Sequence, residues 1–237
     1  MVTPAVSADR IPSVDPATGE IKTWFAVTRS DEVPSIVARA REAQKTWALR
    51  PIAERSRLLR ALREKMFARR GELADAVVHE SGKPRAEALF SDIFVSLDTA
   101  GYLATNAEQM LAPERIPHHN IAAKAKTGEL RHEPLGVIGI ISSWNYPLAI
   151  PLGQIIPAVV AGNAIVCKTS DFTPQCGALI EKLFADAGFP KNLVTVMQKD
   201  NSSGKCPTYN VRGHACGRGL APIKRHNIPM EHPVTFG

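Results

Sequence analysis

Two short polar clusters flank an otherwise apolar stretch. Between Pro134 and Cys167 the chain carries no Asp, Glu, Lys, Arg or His, yet Ser142-Ser143-Trp144-Asn145 interrupts that stretch and Lys168-Thr169-Ser170-Asp171 follows it. If the apolar residues before each cluster are strands of one parallel sheet, both clusters lie at carboxyl ends, where open α/β sheets keep their ligand crevice. An amide can donate to a developing oxyanion there, and a lysine with a carboxylate can hold ribose hydroxyls. Each cluster also has a plainer reading. Asn145 is of a residue type that caps helices well, and Lys168 with Asp171 can form a surface ion pair worth about 0–1 kcal/mol. Spacing alone leaves both readings open.

Whether the apolar stretch crosses a membrane has to be tested first, because it exceeds the ~20 residues that a helical span needs. Pro147, Pro151 and Pro157, the polar Asn145, Gln154 and Asn163, and several glycines argue against a span. Its two ends, GVIGIIS and NAIVCK, are short and β-branched, which favours a buried strand–helix–strand over a span. With 44% hydrophobic and 22% charged residues in a chain of 237, the composition is that of a soluble globular protein. The net charge of +6 suits an anionic ligand such as a nucleotide. No run of five or six like charges occurs, so nucleic acid is not an expected partner. Cys167, Cys176, Cys206 and Cys216 form no C-x-x-C, and the first twenty residues hold no signal-like apolar segment. A cytoplasmic location with free thiols is the expectation.

These clusters need a scaffold, and the hydrophobic period supplies it. After an extended start with a turn at DPATGE, Asp31 is expected to cap a helix reaching about Ala48, with Ile36, Val37, Ala40, Ala43 and Trp47 on one face. A second helix after Pro51 carries Leu58, Leu59, Leu62 and Met66, with Arg55, Arg60, Arg63, Arg69 and Arg70 expected on its solvated faces. A third, about 72–81, stops at Gly82-Lys83-Pro84, and a fourth runs over about 84–111. Residues 113–137 then read as two extended segments around Lys126-Thr127-Gly128. From Gly136 the spacing predicts strand 136–142, helix 146–161, strand 163–168, helix 174–187 and strand 192–197. That order is α/β, a partial doubly wound, Rossmann-like parallel sheet behind a helical N-terminal segment. The expected divisions are 1–116, helical; 117–133, a projecting hairpin arm; 134–198, the βαβαβ unit; and 199–237. The last has neither period and few large aliphatics, and is expected to be disordered.

The paired signatures W-N-Y-P-L (144–148) and A-G-N-A-I-V-C-K-T-S-D-F-T-P (161–174) resemble those of the NAD(P)-dependent aldehyde dehydrogenase superfamily. DPATGE, AQKTWA, ERSRLLRALREKM and HESGKP upstream resemble it too, so the likeness covers about residues 12–197. The resemblance implies that Asn145 donates its side-chain amide to the oxyanion formed when a cysteine thiolate attacks an aldehyde. It implies that Lys168, Ser170 and Asp171 contact the cofactor at its adenosine ribose, and that Ile141, Ser142 and Trp144 line the cofactor. A carboxylate at Asp171 repels a 2′-phosphate, so NAD is expected over NADP. The arm at 117–133 matches the family's oligomerisation arm and implies a homo-oligomer.

The chain departs from the family in three ways. Ser143 stands where many relatives have proline, and Asp171 is shorter than the usual glutamate. The family's F-T-G-S segment, its general-base glutamate and its nucleophilic cysteine motif do not occur, and neither Cys206 nor Cys216 lies in a nucleophile motif. The expectation is therefore a truncated aldehyde dehydrogenase, with part of a cofactor site and an oxyanion amide but no agent for covalent chemistry. A tail translated out of frame would account for the change of composition. The histidines and cysteines of the tail fit no common zinc spacing, so no metal is expected. The alternative function is a non-catalytic assembly module that associates with full-length subunits through its arm.

Overall fold

In the computed structural model, which describes residues 9–117 and 126–198 and the backbone of 214–216, the change of period at Gly136 marks a change of architecture. Five elements follow at the expected places: β5 (Val137–Ile141), α6 (Ala149–Val160), β6 (Ala164–Lys168), α7 (Pro174–Asp186) and β7 (Val194–Met197). The strands are parallel in the order β7-β6-β5, with Ile138 opposite Ile165 and Ile165 opposite Val194. All of β6 is buried, which is why its sequence runs apolar without alternation: a central parallel strand is covered on both faces. The A-G-N signature builds the turn into β6. Gly162 sits at φ 97°, a conformation costly for residues with a Cβ. Asn163 accepts the Gly136 N–H through Oδ1 at 3.0 Å and donates through Nδ2 to the Ala158 carbonyl at 3.0 Å.

The first hundred residues cover this sheet. A hairpin of β1 (Arg10–Val14) and β2 (Ile21–Ala26) leads to α1 (Val33–Ala48), α2 (Ile52–Ala68) and α3 (Arg70–Ser81). Helix α1 packs on β6, while α2 packs on α5 (Val95–Met110), α6 and α7. The apolar residues expected on α1 and α2 lie in one continuous core with those of the sheet. Asp31 does not cap α1. It pairs with Arg29 at 2.9 Å, and the cap position is Glu32. Pro34, in the first turn, has no N–H for a capping carboxylate to accept. Arg55 is also a correction: Arg60, Arg63 and Arg70 are exposed, but Arg55 is buried. Arg69 is half-buried and bridges Glu72 and Asp186, each at 2.8 Å.

Three further differences concern the connections. The expected fourth helix is a single turn, α4 (Arg85–Glu87), then a π-helical segment Ala88–Phe94, then α5. The wider turn lets the neighbouring Asp92 and Ile93 both face inward, and such π turns are frequent at functional sites. The extended segments of 113–137 do pair, as β3 (Glu114–Ile116) with β4 (Gly128–Leu130). Gly128 opens β4, with Lys126 and Thr127 in the connection before it, and residues 118–125 of the expected arm lie outside the described residues. Finally, the tail is not wholly without structure. The backbone of His214–Cys216 forms β8, parallel to β5 on its outer edge. An open edge of a buried parallel strand carries unpaired N–H and C=O groups, and a strand from the same chain satisfies them. Among the described residues no helix is long and apolar enough to cross a membrane.

Candidate cofactor and oxyanion site

Strands β5 and β6 run side by side with Ile141 opposite Lys168, so the two polar clusters begin next to each other on one rim. The Ser142 N–H donates to the Lys168 carbonyl at 3.0 Å, extending the ladder one residue past the strand. Ile141 is half-buried, and Ser142, Lys168 and Ser170 are buried. Lys168 donates through Nζ to the Thr169 carbonyl at 3.2 Å. At 7% exposure its side chain is buried rather than on the surface. Ser170 accepts the Phe172 N–H through Oγ at 3.2 Å, forming the turn that carries half-buried Asp171 into α7. The geometry thus gathers Ser142, Lys168, Ser170 and Asp171 around two adjacent strand ends.

Asn145 lies further along the loop and is exposed, beside Trp144 at 53% exposure. It is not the cap of the following helix: the cap position is Leu148. The Ser143 hydroxyl donates to Asn145 Oδ1 at 2.7 Å, which leaves the Nδ2 hydrogens as the donor end of the amide. Ser143 therefore orients the very group that the resemblance singles out.

Three groups behind the rim had no place in the reading of the sequence. Asp92 Oδ1 accepts the N–H groups of Leu148 and Ala149, each at 3.1 Å, and so caps α6. A carboxylate at a helix N-terminus is stabilised by the helix dipole. Lys83 donates through Nζ to Asp92 Oδ2 at 2.9 Å and to the Asn145 carbonyl at 2.8 Å. Glu80 is the third. Its carboxylate accepts Ser13 Oγ–H at 2.6 Å, Gln175 N–H at 2.8 Å and Cys176 N–H at 2.9 Å, and so caps α7. The usable signal in the sequence was an acid at position 92, beside an isoleucine that had to face the core.

The two cysteines with described side chains, Cys167 and Cys176, are free and buried. Burial pushes the Cys167 thiol up to about 12. Burial, with the Glu80 carboxylate beside it, pushes Cys176 well above the usual thiol range. Neither is a thiolate at neutral pH. Among the described residues no group of three or more His, Cys, Asp or Glu side chains is placed to hold a metal.

A parallel βαβαβ sheet with polar groups at its carboxyl edge is one half of a doubly wound, nucleotide-binding type of fold. The chain belongs to the aldehyde dehydrogenase family, whose profile matches residues 3–209, a dozen residues beyond the likeness seen in the motifs. It is 36% identical over 200 residues to N-succinylglutamate 5-semialdehyde dehydrogenase 1 of Caulobacter vibrioides, covering 84% of this chain and 41% of that protein. The crystal structure of PnpE in complex with nicotinamide adenine dinucleotide is similar at TM-score 0.75 and 29% identity, over 85% of this chain and 40% of that one. Succinic semialdehyde dehydrogenase from Streptococcus pyogenes, solved with NADP+ as the cofactor, shares the fold at TM-score 0.78 and 20% identity, over 87% and 44%. The chain therefore spans less than half the length of the relatives it matches.

Proposed function

We propose that this chain supplies the adenosine-side cofactor cradle and the oxyanion amide of an NAD-dependent dehydrogenase that oxidises an aldehyde to a carboxylate. The observation that carries this reading is the Ile141–Lys168 register, which brings hydroxyl, ammonium and carboxylate groups to one rim. Those groups fit a ribose: Lys168 and Asp171 can bind its hydroxyls, while Ile141, Ser142 and Trp144 flank the dinucleotide. Asp171 disfavours a 2′-phosphate, which supports NAD over NADP. Bound NAD supplies the hydride acceptor. Asn145, oriented by Ser143, places two N–H donors where a negative oxygen can develop, and loss of such a donor typically costs about 10²–10³ in rate. With both described cysteines held as thiols, the described residues bind and polarise but offer no nucleophile. The chain by itself is proposed to be inactive.

Titration calorimetry with NAD tests the reading. Binding is expected, with NAD tighter than NADP and the gap narrowed by Asp171→Ala. Lys168→Met keeps the buried stem and removes the charged donor. A hydrogen bond to a charged group contributes about 1.5–3 kcal/mol, so affinity should fall about tenfold to a hundredfold. A folded chain that takes up no NAD overturns the proposal.

The alternative, an assembly module that joins full-length subunits through the 117–133 arm, has one observation in its favour. The β3–β4 ribbon presents Ile116 and Leu130 about half exposed. Co-purification with a full-length homologue that is abolished by Leu130→Asp would support it.

A further inference from the structure

We propose that Lys83 and Asp92 are positioning residues for Asn145: a buried ion pair that clamps the W-N-Y-P loop at residue 145 and just beyond it. The functional meaning of the clamp rests on the reading of Asn145 as the oxyanion donor, but the clamp itself can be observed without cofactor. Asp92 is fully buried and the Lys83 side chain is 9% exposed, so the pair is withdrawn from water. Charges so placed persist only with partners that satisfy them. Both are satisfied, and almost entirely by the loop. The Lys83 ammonium reaches Asp92 Oδ2, the Asn145 carbonyl and the face of the Tyr146 ring, 4.2 Å from its centroid. Asp92 Oδ1 takes the two N–H groups that open α6. Residue 145 is thus held through its own carbonyl, and the chain three and four residues later is held through its amides.

Two local features aim the pair. Gly82, in the left-handed region at φ 69°, ends α3 and turns the chain so that Lys83 leaves the helix toward the loop. Pro84 disfavours a helical conformation at Lys83, so the chain becomes helical again only at Arg85. The π-helical segment brings Asp92 inward next to Ile93. A pair serving only to join the end of α3 to the π-helical segment would have no need of the Asn145 carbonyl or of the α6 N-terminus.

Amide hydrogen exchange and the Asn145 side-chain amide resonance, measured on the cofactor-free chain, test the proposal. In Lys83→Met, exchange at Leu148 and Ala149 should rise on the order of tenfold, as expected for loss of a charged hydrogen bond. The Asn145 amide signal should shift or broaden. Exchange at Leu59 and Leu62 of α2 should stay as it was. Asp92→Asn, which removes the charge but keeps the shape, should reproduce the loop effect. Unchanged loop exchange overturns the proposal. So does an equal rise at Leu59 and Leu62, which marks a merely structural role, and so does failure of both variants to fold. Absence of NAD binding alongside a loosened loop would instead remove the cofactor reading and leave the clamp in place.

Discussion

Replacing Glu80 with alanine is expected to cost about 3 kcal/mol of stability, from a total that is about 5–15 kcal/mol for a folded domain. The carboxylate is buried and takes three hydrogen bonds, from Ser13, Gln175 and Cys176, so its removal strands one hydroxyl and two helix-terminal N–H groups. The same site has a pH signature. Burial raises the carboxyl above its ordinary 4.5, and the hydrogen bonds from Ser13, Cys176 and Gln175 only partly offset this. The folded chain then binds this proton more tightly than the unfolded chain does. The contribution is fully present below about 4.5 and is lost as pH rises through the folded-state value. Glu80→Gln cannot titrate. The urea midpoint of the unmodified chain should therefore fall relative to that of Glu80→Gln as pH is raised from about 4.5 toward 7. A pH-independent difference would contradict this account.

Trp47→Ala should cost about 3–5 kcal/mol, the usual range for emptying a large aromatic site in a core. Trp47 has no exposed surface. Its indole N–H donates to the Val159 carbonyl of α6 at 2.8 Å. Its ring lies 5.5 Å from Phe189, which in turn meets Phe184 edge-on at 4.9 Å. Trp47 thus joins α1 to the end of the helix that the W-N-Y-P loop begins. Trp47→Phe keeps most of the packing and loses the hydrogen bond, so its denaturation midpoint should lie between those of the unmodified chain and Trp47→Ala. A Trp47→Ala midpoint matching the unmodified chain would mean that the α1–α6 contact does not hold the fold.

Glu80 and the Lys83–Asp92 pair share one design. Each helix that follows a polar strand end is capped by a buried carboxylate from the N-terminal helical segment: Asp92 for α6 and Glu80 for α7. Neither helix has a side-chain cap of its own. The helical segment is therefore more than a cover for the sheet. It sets where the two rim loops leave their strands, and so where Asn145 and Asp171 stand.

What the sequence determined by itself is the part of the molecule governed by local rules. The switch from helical to strand period at Gly136 located β5, α6, β6, α7 and β7 within about three residues at each end. Burial of a parallel strand on both faces dictates an unbroken apolar run, and a helix on a core dictates its stripe. Polar groups at two successive strand ends likewise located the rim, and the signatures located the family. Tertiary structure decided everything that joins residues far apart. Lys83 meets Asn145 across 62 residues, Asp92 meets Leu148 across 56, and Glu80 meets Cys176 across 96. No period or spacing encodes such pairs, because a buried charge is identified by its partner and not by its neighbours in sequence. The same holds for Arg55, which shares the helical spacing of its exposed neighbours yet is buried, and for Asp31, whose capping role Pro34 and Arg29 removed. It holds too for His214–Cys216, which a composition poor in apolar residues excluded from the core but the open edge of β5 could still recruit.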